Sequence, residues 1–243
     1  MMKNLRRIIG ALAVLAAVSC AKTPSADKGL VIFELSTNQQ VADMTKSNIS
    51  DYTDLPSVSD FTITISGETF NWTGLVSEWD PTTPVLAGEY SVTASYGQLE
   101  EEGFDKPYFV GTETFTVVGG ETVAVSVPVS LGNTVVKVQT SEYFKKYYTD
   151  YTFDITRDGV PVVSFAKDET RAAFVDAYKF TISGVLESET KTYTFSKDYA
   201  NLDVATAYTF AFDVTNVGGG SITITFKDGY TETIELGEYE LND

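Results

Sequence analysis

Apolar residues returning at every second position limit how this chain can fold more than any other feature. Phe61, Ile63 and Ile65 alternate with Thr62, Thr64 and Ser66. Val123, Val125, Val127 and Val129 alternate with Thr122, Ala124, Ser126 and Pro128, and Tyr208, Phe210, Phe212 and Val214 with Thr209, Ala211, Asp213 and Thr215. Successive side chains on a strand point to opposite faces, so this period, carried by β-branched and aromatic residues, predicts strands buried on one face. Asp158-Gly159 and Asp228-Gly229 each lie between such runs and read as two-residue hairpin loops, which need positive φ at both central positions. Gly119-Gly120 and the glycines at 218–220 mark further reversals. Pro128 has no N–H for a ladder, which predicts a sheet edge or a bulge there.

Roughly six strands fit between residues 30 and 131, and roughly seven or eight between 134 and 236, each set suited to a sandwich of about 100 residues. The expectation is an all-β chain of two tandem immunoglobulin- or transthyretin-like Greek-key β-sandwiches at residues 29–131 and 132–243; a single closed barrel is the alternative. Tyr90 and Tyr208, each entering a strand, are candidate tyrosine corners whose hydroxyls would bond back to nearby backbone. Residues 141–151 break the β pattern. Tyr143, Phe144, Tyr147, Tyr148 and Tyr151 fall at helical spacing with Ser141 as a cap, which predicts a short helix across one end of the second sandwich.

The chain opens with Lys3, Arg6 and Arg7 ahead of an uncharged apolar run at 8–18, the order of a secretory signal peptide, expected at residues 1–19. That run is too short to span a bilayer, which takes roughly 20 apolar residues. It ends Ala-Ala-Val-Ser-Cys, and small residues directly before the chain's one cysteine resemble the lipobox of bacterial lipoproteins. By that resemblance Cys20 carries the lipid, residues 20–28 form a flexible tether, and the membrane is a partner through the anchor. Loss of residues 1–19 would take the net charge from −17 to −20. Such a surface repels nucleic acid and serves solubility.

The composition argues against an enzyme. There is no histidine, so the commonest general base is missing along with most zinc and copper ligand sets. No phosphate-binding glycine loop, nucleotide fingerprint or Gly-x-Ser-x-Gly elbow occurs. No cofactor and no metal site is therefore expected, although Asp150, Asp154 and Asp158, or Asp168 and Glu169, supply oxygen ligands of the kind calcium takes. The densest acidic cluster, Glu100, Glu101, Glu102 and Asp105, reads as a solvated loop. The candidate ligand contacts are aromatic: Trp72, Trp79 and Tyr108, which would have to share one exposed face to stack on sugar rings.

Gly88-Glu89-Tyr90-Ser91-Val92-Thr93-Ala94, the stretch Gly103-Phe104-Asp105-Lys106-Pro107-Tyr108-Phe109 with Gly111 following, and the tyrosine-rich strand entry at 143–153 resemble a family of small Bacteroidetes lipoproteins built of a domain of unknown function. More distantly, the layout and the closing run at 220–236 are similar to fimbrillin-like lipoproteins with two tandem β-sandwich domains. The resemblance implies a non-catalytic, adhesion or fimbria-associated lipoprotein of the outer membrane, displayed at the cell surface or facing the periplasm. Its partner would be a surface protein or a polysaccharide. The alternative reading is a polysaccharide-binding lipoprotein of a glycan-uptake system.

Overall fold

The computed structural model describes residues 26–42 and 48–214, together with the backbone of three further strands up to residue 239. Cys20, the signal peptide, Asp228-Gly229 and the glycines at 218–220 lie outside the described residues. The first half holds β1 (Lys28–Thr37), β2 (Thr62–Gly67), β3 (Trp72–Leu75), β4 (Val85–Leu86), β5 (Gly88–Tyr96), β6 (Gly103–Phe104), β7 (Phe109–Val117) and β8 (Thr122–Leu131). The second holds β9 (Thr134–Thr140), helix α1 (Glu142–Tyr147), β10 (Asp150–Arg157), β11 (Val160–Ala166), β12 (Ala173–Val175), β13 (Lys179–Glu187), β14 (Thr192–Ala200), β15 (Ala207–Val214), β16 (Ser221–Thr225), β17 (Thr231–Glu235) and β18 (Gly237–Tyr239). The chain is all-β, as the alternation predicts. The extra strands relative to that expectation include β4 and β6, whose two residues each are too few to show a period.

The two halves repeat one strand order. The first runs β3-β2-β5-β7-β8-β1-β4. In the second, β11-β10-β13-β14 forms one layer, extended by β18, while β15-β9-β12 forms the other, extended by β16 and β17 at one end and by β6 at the other. Strand for strand, β1 matches β9, β2 matches β10, β5 matches β13, β7 matches β14 and β8 matches β15. Each half also places its first strand parallel to a late one, β1 on β8 and β9 on β15, a pairing that periodicity cannot foresee.

The layers pack face to face, which makes each half a β-sandwich. In the first core, Ile63, Val92 and Phe115 from one layer meet Val31, Val125 and Val127 from the other. In the second, Phe153 stacks on Phe212 across the layers at 4.2 Å. The cores are not sealed from each other, since Val135, Ala172, Phe174 and Ala207 of the second half belong to the first cluster.

Local chemistry explains the elements. The Asp158-Gly159 turn joins β10 to β11 with φ of 49° and 80°, the double positive φ that a two-residue hairpin needs. Ser141 caps α1 by accepting the N–H of Phe144 at 3.0 Å, but the helix stops at Tyr147, and Tyr151 lies on β10. Pro128 is not in a bulge but stands at a local sheet edge, as its missing N–H predicts. Strand β8 pairs with β1 over Thr122–Val129 and with β7 only at Ser130 and Leu131, so the residue without an N–H sits where β7 has let go.

The two candidate corner tyrosines occupy strands that do not correspond in the repeat, Tyr90 on β5 and Tyr208 on β15. Tyr90 Oη donates to the carbonyl oxygen of Leu86 at 2.9 Å and lies 2.9 Å from Thr69 Oγ1. Tyr208 Oη accepts the N–H of Asp203 at 3.1 Å. Each ties its strand to nearby upstream chain, but they are two separate fastenings, and a Tyr opening a strand is too common to mark a repeat.

Candidate functional site

The aromatic residues singled out from sequence do not form one exposed face. Trp79 is only 9% exposed, and its indole N–H donates to the carbonyl oxygen of Val31 at 3.0 Å. The reason lies in β4, which pairs with β1 only at Lys28 and Gly29. Past that point the edge of β1 turns the carbonyl of Val31 outward, and the indole satisfies it, in keeping with the cost of a buried backbone group left unpaired. Trp72, half-buried, meets Trp79 edge to face at 5.1 Å, and Phe33 and Phe70 pack on the same indole at 5.5 and 6.3 Å. Tyr108 lies at the junction of the halves, where its N–H is held by Asn133 Oδ1 and its carbonyl by the N–H of Gly132. The expectation of a shared platform is corrected accordingly: Trp79 is core, and Tyr108 is joint.

The corresponding edge in the second half is open among the described residues. Strand β12 pairs with β9 only from Thr134 to Val136. The N–H of Val135 points to the β15 side, onto Thr206, and that of Ser141 likewise onto Phe212. By strand alternation the backbone groups of Val138 and Thr140 face the other way. Val138 is thus the first outward-facing residue of β9 past its pairing with β12, as Val31 is on β1 past β4, but no indole covers it. A cleft of about 420 Å³ lies there instead. Its floor includes the buried rings of Tyr151 and Phe153, and its rim carries Lys137, Lys145, Asp168 and Thr170.

The rim is polar and partly pre-set. Tyr151 Oη lies 3.3 Å from Thr140 Oγ1 and donates to Asp168 at 3.4 Å, while Lys145 reaches Asp168 at 3.8 Å. Glu169 accepts the N–H groups of Thr170 and Arg171 and pairs with the Arg171 guanidinium at 2.8 Å. Those hydrogen bonds from Arg171 hold its carboxyl down at about 2. Glu169 is therefore an acceptor at neutral pH. The backbone donors and acceptors of a strand edge, an aromatic floor and two lysines suit an extended, hydrogen-bonding ligand.

The acidic cluster needs the largest correction. Glu100 and Glu101 are exposed, but the Glu102 side chain is only 10% exposed. It is bound by Nε and Nη2 of Arg157 and by the N–H of Asp176, all in the second half. The same guanidinium donates to the carbonyls of Lys179 and Asp176. Glu102 was read from sequence only as part of a solvated loop, and Arg157, Lys137 and Lys145 were not singled out, since what makes them matter is contact between residues far apart in the chain. The strand parity of 134–140 was the one available signal.

The candidate calcium ligands are dispersed: Asp158 is paired with Lys179 at 3.0 Å, and Asp150 accepts the N–H of Tyr151. Among the described residues no three His, Cys, Asp or Glu side chains converge on a metal position, and no helix is long and apolar enough to cross a membrane.

Fold and cleft together define a tandem β-sandwich protein in which, among the described residues, β9 is unpaired past Val136 on its β12 side. The chain belongs to the family described as a domain of unknown function (DUF4493), whose model matches residues 27–238. No curated protein matches it. Among solved structures it is similar to a protein provisionally assigned to cell adhesion from Bacteroides eggerthii DSM 20697, at 9% identity and TM-score 0.45 over 91% of this chain and 98% of that one. A fimbrial assembly protein from Parabacteroides distasonis ATCC 8503 gives 8% identity and TM-score 0.45 over 86% and 98%. A provisionally assigned polysaccharide-binding protein from Bacteroides thetaiotaomicron VPI-5482 gives 10% identity and TM-score 0.41 over 86% and 98%.

Proposed function

We propose that this chain is a non-catalytic cell-envelope lipoprotein, anchored through Cys20 after loss of residues 1–19, that works by adhesion or fimbria-associated contact. Two modules, residues 29–131 and 132–243, form its binding body, and the cleft beside β9 is where a protein partner is met. The observation that carries the reading is the open edge of β9 at Val138 and Thr140, flanked by Lys137 and Lys145. An unpaired strand edge is a template for another chain, and proteins normally cover or blunt it. The anchor places the body at the outer membrane, on the cell surface or facing the periplasm.

The test is to cross-link the native protein in membranes, extract it gently and size it beside the double variant Lys137→Glu, Lys145→Glu. Wild type in a larger assembly, with the variant recovered alone and folded, is the expected result. Wild type recovered alone, or an assembly indifferent to the variant, would overturn the reading.

A second reading, a polysaccharide-binding lipoprotein of a glycan-uptake system, draws on the half-buried Trp72 beside Phe33 and Phe70. It expects Trp72→Ala to lose retention on a glycan that the wild type holds. Equal retention by the two proteins would count against it.

A further inference from the structure

Residues 97–108 leave the first half, cross to the second and return. We infer that this crossing segment is a strap that sets the shape of the β9 cleft, with Glu102 and Phe104 as positioning residues that do not themselves line it. The inference rests on reading that cleft as the binding site.

The strap is fastened at two points. Glu102 is held by Arg157 and by the N–H of Asp176, with side-chain exposures of 10% and 23% for the ion pair. Gly103 and Phe104 then run as β6, antiparallel to Phe174 and Ala173 of β12. Strand β12 is only three residues long, so β6 and β9 between them supply all of its sheet pairing among the described residues.

From Phe104 the contacts lead to the cleft wall. Its ring meets Phe165 edge to face at 5.2 Å and carries the Arg171 guanidinium 4.3 Å from its centroid. The next strap residue, Asp105, pairs with Arg171 at 3.7 Å. Arg171 in turn grips Glu169, whose carboxylate gathers the N–H groups of Thr170 and Arg171. Asp168, Glu169 and Thr170 are the wall.

The ties to Asp168 from the second half are long: Tyr151 Oη donates to it at 3.4 Å. Lys145 reaches Asp168 at 3.8 Å with side chains 41% and 63% exposed, and pairs of that kind contribute little. The Arg171 guanidinium, 55% exposed, makes closer contacts, 4.3 Å over the Phe104 ring and 2.8 Å to Glu169, and the Glu102–Arg157 pair that fastens the strap is part-buried. The first half therefore shapes the site carried by the second.

Amide hydrogen exchange on the isolated wild-type chain, Phe104→Ala and Glu102→Gln tests this without any partner. Both variants should speed exchange at Glu169, Thr170 and Arg171, Phe104→Ala by at least about tenfold, while Ile182 on β13 and Phe195 on β14 keep their wild-type rates. Unchanged rates at the wall in a folded variant, or equal acceleration over all strands, would overturn the strap. Glu102→Gln, which keeps the side chain's shape, decides the matter if Phe104→Ala does not fold. Because the readout needs no ligand, a wild type that binds nothing would remove the proposed function and leave this result standing.

Discussion

Two buried tyrosines show how little of a residue's role its type reveals. Tyr90 Oη donates to Leu86 and touches Thr69, so its hydroxyl fastens β5 to the chain ahead of it. Tyr148 Oη is fully buried with no hydrogen-bond partner among the described residues, and burial beside Tyr147 and Tyr193 pushes its ionisation far above the usual phenol range. Removing a made hydrogen bond costs about 1 kcal/mol, whereas removing an unsatisfied buried hydroxyl costs nothing or stabilises by up to about 1 kcal/mol. Urea unfolding should therefore rank Tyr90→Phe below wild type and Tyr148→Phe level with it or above. The reverse order would contradict both assignments. Tyr90 was legible as a candidate corner from its place at a strand entry, whereas nothing about Tyr148 beyond its helical spacing told whether its hydroxyl would find a partner.

At the scale of the element, strand periods were legible wherever one face is buried and the run is long. Strands β2, β8 and β15 lie where Ile63, Val125 and Phe210 alternate with polar neighbours. Pro128 was legible as an edge residue, because a residue without an N–H fits where β8 pairs with β1 alone. Opposite it stands Gly111, where a Cβ would run into the carbonyl oxygen of Pro128. Gly111→Ala should therefore destabilise by about 1–3 kcal/mol, the usual cost of overpacking, and a thermal melt reads it. A melt unchanged from wild type would mean that β7 and β8 do not approach so closely. The helix at α1 was legible from its cap and spacing but ran too long in the reading, since Tyr151 continues the aromatic pattern into β10 by coincidence of spacing.

On the scale of the whole molecule, the two sandwiches are not beads on a linker. The strap joins them at Glu102 and β6, Asn133 receives Tyr108, and the N–H groups of Ala42 and Ala207 bond across to Ala205 and Ala42. With Phe174 and Ala207 shared into the first core, the halves should unfold together. Calorimetry is expected to give one transition whose calorimetric and van't Hoff enthalpies agree; two resolved transitions would mean that the halves are energetically separate. The sequence by itself determined that the chain is all-β, because alternation is a property of neighbouring residues and every long strand with one buried face carries its own record of it. It also determined the hairpin at Asp158-Gly159 and the cap at Ser141, which depend on residues within a turn of each other. Only the tertiary structure decided that Trp79 is core, that Glu102 is a fastening and that β9 keeps an open edge, since each depends on what another part of the chain brings alongside.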